Sequence, residues 1–440
     1  MKYRVGWTFL LATVLTLWVA QAQAVSVKNL RKWQAPDYTR LVFDLSGPIQ
    51  QNVFTLHDPE RVVIDLKSAH LNRPLPDLSF NGPVVKDVRT GDHGSGLRVV
   101  VDLKRSVQTN AFVLKPYGQY GYRLVIDFQH KEADTQADTS TTKPSGPPPT
   151  SVSPRRDLVI AVDPGHGGED PGATGRRYHT HEKDVVLAIA RDLAQRIDAT
   201  PGMHAYMTRT GDYFVGLAER RELAKEHGAD LFVSIHADSL PGSDARGSSV
   251  YALSQRGATS VQARALANRE NTSDLIGGID VGREDPILNT TLADLIITNT
   301  VRSSLQLGRD VLQQLRPLVH IHVNRVDQAA FAVLKLGRIP SILVETAYLS
   351  SPADERLLRT RSFRRRIAKG IYDGIREYLA QTRQHNRPLT ARRTNRVHVV
   401  RHGETLSGIA ARYNVRLKAL RTANNLRGDE VMAGVRLRIP

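Results

Sequence analysis

The chain contains no cysteine. No disulfide can form, even in a compartment that would permit one, and zinc sites built on thiolates are excluded. Long apolar runs are scarce as well. The run from Phe9 to Ala20 is too short for a membrane span. Lys2 and Arg4 precede it and Ala22-Gln23-Ala24 follows, so residues 1–24 read as a secretory signal. No Arg-Arg pair stands before it, which favours the general route over the twin-arginine one. The alternative is an uncleaved anchor; after cleavage no integral membrane segment is expected.

Acidic residues are in deficit, with 44 Asp and Glu against 61 Lys and Arg, a net charge of +17. Such an excess points first to nucleic acid. Its distribution argues otherwise, because residues 381–440 hold 13 Lys/Arg against 3 Asp/Glu and so carry +10 of the +17. Behind a secretion signal, an anionic envelope polymer suits this charge better than DNA. The plainer alternative is a solvated basic face that aids solubility.

A length of 440 residues allows two or three domains. Residues 25–130 hold an internal repeat: Arg40-Leu-Val-Phe-Asp44, Arg61-Val-Val-Ile-Asp65, Arg98-Val-Val-Val-Asp102 and Arg123-Leu-Val-Ile-Asp127. Each is a β-branched or apolar core between charged ends, and Gly/Pro/Asn/Asp clusters separate them. This predicts an all-β sandwich of two packed sheets. It carries no cluster of catalytic residue types. Residues 131–156 are rich in Pro, Ser and Thr and read as a linker.

Residues 157–380 alternate apolar strands with amphipathic helices, the pattern of an α/β domain with a mostly parallel sheet flanked by helices. Expected strands include Val159–Val162, His204–Thr208, Leu231–Ile235, Gly247–Ala252, Ala329–Leu334 and Ser341–Val344. Expected helices begin at Glu182 and at Leu217, and a last one runs from about Ser362 to Leu379. Ligands of α/β sheets sit beyond the carboxyl ends of strands. There the first strand delivers His166 on a glycine-rich loop, Asp163-Pro-Gly165-His166-Gly167-Gly168. Glu182 opens a helix, His236 ends another strand, and Glu345 ends a third. His, Glu and His at element ends suit zinc with one open position, and a carboxylate beside them suits general acid–base work on water. Singly, each is more often an ordinary strand-end residue or a helix-dipole carboxylate.

The runs VDPGHGGEDPGA, HEKDV, ADLFVSIHAD and ILVETAYLS occur in order over residues 157–380. They resemble the zinc-dependent N-acetylmuramoyl-L-alanine amidases of the bacterial cell-division type. The resemblance implies zinc ligands at His166, Glu182 and His236, a catalytic Glu345, and hydrolysis of the amide between N-acetylmuramic acid and L-alanine of peptidoglycan. His179 and His181 flank Glu182 and could compete for metal, but are expected to face solvent.

An insertion from about Gln255 to Leu315 is long for a connection. Val261–Leu275 has helical spacing, 277–282 is loop-like and Leu292–Leu315 is a long helix. In the family this region resembles a regulatory helix whose Glu fills the open zinc position. Glu270 is the first candidate and Glu284 the second; the alternative is a surface carboxylate on an ordinary helix. The implied activator is a LytM-domain protein. The β-domain resembles the amidase N-terminal (AMIN) domain, which implies targeting through peptidoglycan.

Residues 381–396 form a basic linker, and 397–440 follow a strand–helix–helix–strand pattern that resembles a LysM domain, a small α+β module. This implies binding to glycan containing N-acetylglucosamine, beside Gly403–Leu406 and Asn424–Leu426. The expectation is therefore a periplasmic, septal, zinc-dependent peptidoglycan amidase used in daughter-cell separation. Its rivals are a non-catalytic wall-binding scaffold and a zinc peptidase acting within the stem peptide. Nucleic acid is not an expected partner.

Overall fold

The computed structural model describes residues 24–130, 156–240, 245–254, 256–278, 291–385, 397–400 and, with gaps of one or two residues, 404–439. Residues 1–23, the bulk of both expected linkers, and Glu284 lie outside them.

The first nine strands are β1 (Val25–Gln34), β2 (Tyr38–Leu45), β3 (Gln51–Leu56), β4 (Arg61–Leu66), β5 (Ala69–Leu71), β6 (Val85–His93), β7 (Gly96–Leu103), β8 (Thr109–Leu114) and β9 (Tyr122–Gln129). They form two sheets, ordered β5-β1-β2-β9-β8 and β3-β4-β7-β6. The repeated motif supplies the middle of both. β2 pairs with β9 so that Arg40 faces Asp127 and Asp44 faces Arg123. β4 pairs with β7 so that Arg61 faces Asp102 and Asp65 faces Arg98. Because side chains alternate along a strand, Leu41, Phe43, Leu124, Ile126 and Phe128 of one sheet meet Val62, Ile64, Val99 and Val101 of the other in a single core.

The two sheets differ on their outer faces. Along β7 burial alternates, as in a half-solvated sheet, whereas β9 is buried on both sides from Arg123 to Phe128. Something covers the outer face of β2 and β9.

The α/β part has the sheet order β11-β10-β12-β15-β13-β14, made of β10 (Leu158–Pro164), β11 (Met203–Met207), β12 (Leu231–His236), β13 (Ser248–Leu253), β14 (Ile321–Ala329) and β15 (Ser341–Glu345). All neighbours are parallel except β13 and β15. The helices are α1 (Glu182–Asp198), α2 (Leu217–Glu226), α3 (Val261–Glu270), α4 (Ser273–Gly277), α5 (Thr291–Leu315), α6 (Pro352–Leu358) and α7 (Arg361–His385). Helix α1 turns Val186, Ile189, Ala190, Leu193 and Ile197 inward, the stripe its sequence spacing predicts.

One expectation needs correction. Ala329–Leu334 is not a strand: Ala329 ends β14, and Ala332–Leu334 is a 3-10 turn whose Val333 and Leu334 join the core. The strand lies just upstream, on the sheet edge, where one neighbour and a register shift opposite Ser248/Val250 leave Asn324 and Arg325 exposed and blur the alternation. The helical spacing of Val261–Leu275 is realised as two helices, α3 and α4, separated by Asn271-Thr272. The Asn271 side chain bonds the loop after β14 instead, donating to the Ala330 carbonyl (2.8 Å) and accepting from the Ala332 N–H (2.7 Å).

The C-terminal module contains β16 (Val397–Val399), α8 (Leu406–Arg412), α9 (Leu417–Ala423) and β17 (Arg436–Arg438), with β16 and β17 antiparallel. Its core is Val400, Leu406, Ile409, Ala410, Leu420, Leu437 and Ile439. The Asn424 amide is spent inside the module, on the Leu420 carbonyl and on both backbone groups of Arg438.

Candidate metal centre and active site

The loop after β10 is shaped by backbone before any ligand is considered. His166 has φ +59°, a left-handed conformation that a non-glycine residue adopts only when its surroundings enforce it. Two buried arginines enforce it here. Arg220 donates to the carbonyls of Pro164 and His166 (both 2.7 Å), and Arg209 to those of Pro164 (3.0 Å) and Gly165 (2.7 Å). Under the loop Asp163 is fully buried. It accepts from Arg220 (2.7 Å), Thr208 (2.6 Å) and Ser234 (2.6 Å), one partner from each neighbouring element. Burial alone would raise its pKa, but the guanidinium and the two hydroxyls outweigh that and hold it below the usual carboxylate range. Gly165 must be glycine for a different reason: a Cβ there would lie 2.4 Å from Cε1 of His236.

On this frame the expected residues converge. One ligand atom each from His166, Glu182 and His236 lies within 4.8 Å of the others, and His236, Glu270 and Glu345 form a second such group. His166 Nδ1 is 2.7 Å from Asp170 Oδ2, which leaves Nε2 pointing at the centre. Ligating histidines are oriented by such a carboxylate on the far nitrogen. Glu182 sits at the first position of α1 and accepts backbone N–H groups from Ala173 and Ala237 (both 2.8 Å). Its oxygens lie 3.3 Å from His166 Nε2 and 3.2 Å from His236 Nδ1. Parallel pairing of β12 with β15 puts His236 level with Glu345. Glu345 Oε2 accepts the Asp238 N–H at 2.9 Å.

Three buried atoms at this point have no hydrogen-bond partner: His166 Nε2, His236 Nδ1 and Glu345 Oε1. Buried polar atoms are rarely left so. The electrostatics agree. Burial disfavours charged imidazole, yet Asp170, Glu182 and Glu270 lift His166 well above its ordinary value, and Glu270 with Glu182 lifts His236 to about 10. Burial likewise opposes the Glu182 carboxylate, but His166 and His236 hold its pKa well below the usual range. The carboxylates thus concentrate a negative field on two orphaned ring nitrogens. Such a donor set fits a divalent cation, and zinc among them. Glu345 is pushed the other way: burial, with the carboxylates of Asp238, Glu182 and Glu270, raises its affinity for a proton well above normal despite His236 nearby.

Glu270 is buried at the end of α3, with Oε2 3.1 Å from His236 Nδ1 and 3.5 Å from His166 Nε2. It is not an ordinary surface carboxylate. Its neighbour Arg269 pairs with Asp238 beyond β12, Nε to Oδ2 being 3.0 Å. Ala263, Leu266 and Ala267 anchor α3 in the core with Phe331 and Leu334. His179 and His181 are both exposed, as expected.

Asp163, Asp170, Arg209, Arg220 and the Arg269–Asp238 pair escaped the sequence reading. Asp170 carried a signal, four residues after His166 in the same loop. The others act across 31 to 71 residues of chain and leave no local pattern.

A buried two-histidine, two-carboxylate centre at the strand ends of a mostly parallel sheet, with a carboxyl group at its side, has the donor set that a hydrolase-type metal site needs. Comparison with known proteins places it. Residues 160–377 match the N-acetylmuramoyl-L-alanine amidase family, 29–128 the AMIN domain and 398–440 the LysM domain. N-acetylmuramoyl-L-alanine amidase AmiC of Escherichia coli O6:H1 is 40% identical over 383 residues, 82% of this chain and 91% of that one. AmiC of Neisseria meningitidis serogroup B is 36% identical over 397 residues, 85% and 95% of the two chains. Among solved structures, AmiC2 of Nostoc punctiforme matches 51% of this chain and 97% of its own at 31% identity, with a TM-score of 0.35. The chain belongs to the N-acetylmuramoyl-L-alanine amidase family, with an AMIN domain before the amidase domain and a LysM domain after it. No helix among the described residues is long and apolar enough to cross a membrane.

Proposed function

We propose that the chain is a zinc-dependent amidase that cuts peptidoglycan between the lactyl group of N-acetylmuramic acid and L-alanine of the stem peptide. The observation that carries this is the convergence of two unpartnered imidazole nitrogens on Glu182, with the free oxygen of Glu345 beside them. His166, Glu182 and His236 would hold the metal. Bound zinc would polarise the scissile carbonyl and lower the pKa of the attacking water.

The chain's own residues do the rest. Asp170 fixes the His166 tautomer. Glu345, whose Oε2 is held by the Asp238 N–H, takes the water proton on Oε1 and returns it to the leaving amine. Glu270 fills the place that substrate or water needs, so the arrangement described is a blocked one. Opening it requires a partner that binds the displaced-helix state better, about 1.4 kcal/mol for each tenfold shift. A LytM-domain protein is the activator in this reading. Export by residues 1–24 places the enzyme in the periplasm, at the division septum, where the AMIN and LysM modules hold it on peptidoglycan.

The test is muropeptide mass spectrometry with the zinc-loaded full chain, wild type against Glu270→Ala. Stem peptide with a free L-alanine N-terminus, abundant only from the variant, is the expected result. Fragments cut within the stem would make the enzyme a peptidase. Zinc bound without products from either protein would make it a scaffold. Equal strong activity would keep the amidase and remove Glu270 as the block.

A further inference from the structure

The outer face of β2 and β9 is buried. The repeat offers an internal control. In β4 and β7 the outward Arg98 and Asp65 form a two-pronged ion pair (2.6 and 2.7 Å) that stays partly in solvent. At the corresponding outward positions of β2 and β9, Arg40, Arg123 and Asp127 are buried, and Val42 and Val125 between them are fully so. Near-identical motifs thus end in opposite environments.

The segment that follows Glu270 covers this face together with Glu169 and Phe214. Arg40 grips Asp127 with Nε and Nη2 (both 2.6 Å) and is left with Nη1, which donates to the Gly277 carbonyl at 2.8 Å and to Glu169 Oε1 at 2.5 Å. Arg123 Nη1 donates to the Ile276 carbonyl at 2.8 Å. These are among the last carbonyls of α4, which have no partner within the helix and carry its negative end. In most helices solvent or nearby residues satisfy them; here two guanidiniums from another domain do. Glycines allow the close fit. A Cβ on Gly278 would lie 2.4 Å from the Phe112 ring of β8, and one on Gly277 2.1 Å from Phe214. Tyr38 adds a bond from its hydroxyl to the Phe214 carbonyl (2.6 Å).

The connection from Gly277 to Glu270 is short and stiff. Only Asn271 and Thr272 separate α4 from α3, and α4 is also tied to the amidase domain where Asp274 accepts the Leu217 N–H at 2.9 Å. The hold is also incomplete. Arg123 is 1% exposed, yet its Nε and Nη2 have no acceptor. A buried donor without a partner costs free energy, so the docked face is open to competition from a ligand that satisfies more of it.

We propose that the β-domain is part of the lock. Through Arg40 and Arg123 it clamps residues 273–278 and so keeps Glu270 in the metal centre; leaving the clamp and unblocking the site are one coupled event. Any ligand that takes the Arg40/Arg123 face, such as an anionic wall strand, then favours the open site by its differential affinity. This rests on Glu270 acting as the block.

The experiment uses the full chain with Arg123→Gln and, separately, Arg40→Gln, each made also in the Glu270→Ala background. Hydrogen exchange is followed by mass spectrometry and release of peptidoglycan fragments is measured alongside. Amides of 273–278 should exchange roughly tenfold faster, about the worth of one charged hydrogen bond, while those of β4 and β7 stay protected and report an intact β-domain. Basal release should rise in the wild-type background and not rise further over Glu270→Ala. Unchanged exchange across 261–278 in folded Arg123→Gln and Arg40→Gln overturns the clamp. Faster exchange without any rise in release supports the clamp and counts instead against Glu270 as the block. Because Arg40 also holds Asp127, Tyr38→Phe serves as a milder variant that should loosen the same segment by a smaller factor; protection there equal to wild type counts against the clamp.

Discussion

His236 and Glu345 lie level with each other on adjacent parallel strands, the last residues of β12 and β15. One strand end offers a ring nitrogen and the next a carboxylate oxygen, and neither atom has a hydrogen-bond partner. Their spacing is set by sheet register, not by a flexible loop, and rigid elements hold reactive groups in place better than loops do.

For Glu345→Gln the expectation follows from that register. The amide fills the same space but cannot take a proton. Zinc content should match wild type, and release of stem peptide should fall by about 100-fold or more, as for loss of a general base. Turnover equal to wild type in the Glu270→Ala background would remove Glu345 from the chemistry.

Asp163→Asn tests the frame under the His166 loop. It leaves Arg220 buried with its charge uncompensated, which costs about 3–5 kcal/mol. Thermal denaturation should show a fall of roughly 10 °C. The pH dependence has a definite sign. The folded pKa of Asp163 is depressed, so its contribution is complete above the unfolded carboxylate value and is lost as pH falls through the folded one. The gap between wild type and variant should therefore be constant near neutrality and narrow only at acid pH, below the usual carboxylate range. A gap that closes at neutral pH would contradict this.

Chelation is a separate check on the ligand set. A metal bound only by the folded state adds roughly 4 kcal/mol when free metal is 1,000 times its Kd. Stripping zinc should lower the melting temperature, and restoring it should recover the value. In His236→Ala the same treatment should make little difference. Equal responses in the two proteins would place the metal elsewhere.

Removing residues 397–440 should weaken sedimentation with whole sacculi but leave cleavage of small soluble muropeptides by the Glu270→Ala form unchanged, because tethering matters only on a polymer. Sedimentation equal to that of the full chain would deny the module its anchoring role. Within it, Asn424→Ala should act through stability, since its amide joins α9 to β17.

The strands that deliver His166, His236 and Glu345 were legible because each is a short apolar run with a polar residue at its end, a signal held within about six residues. The sandwich was legible because a charged–apolar–charged motif occurs four times. The edge strand Ile321–Ala329 was not, since one neighbour and a register shift leave charged residues inside it. Phe331-Ala332-Val333-Leu334 misled in the opposite direction: it is apolar because it is buried, and it is a turn. The Asp163 hub and the Arg40–Glu169 contact depend on pairing across 45 to 129 residues, and no local pattern encodes such a pairing. Glu270 was found by resemblance alone, for nothing in Arg269-Glu270-Asn271 marks one face of α3 as the one that meets a metal centre.

The sandwich carries one motif four times, with one pair of copies turned to solvent and the other pressed against α4. Duplication of this kind lets a single small fold hold two posts. Substitutions on the β4–β7 face disturb an ion pair that is partly in solvent and, among the described residues, touch no other domain's helix. Those on the β2–β9 face are answerable to a helix in another domain. Copies of one motif with the same chemistry thus tolerate different changes: those facing α4 must keep two guanidiniums within reach of its carbonyls, and those on the other sheet need not.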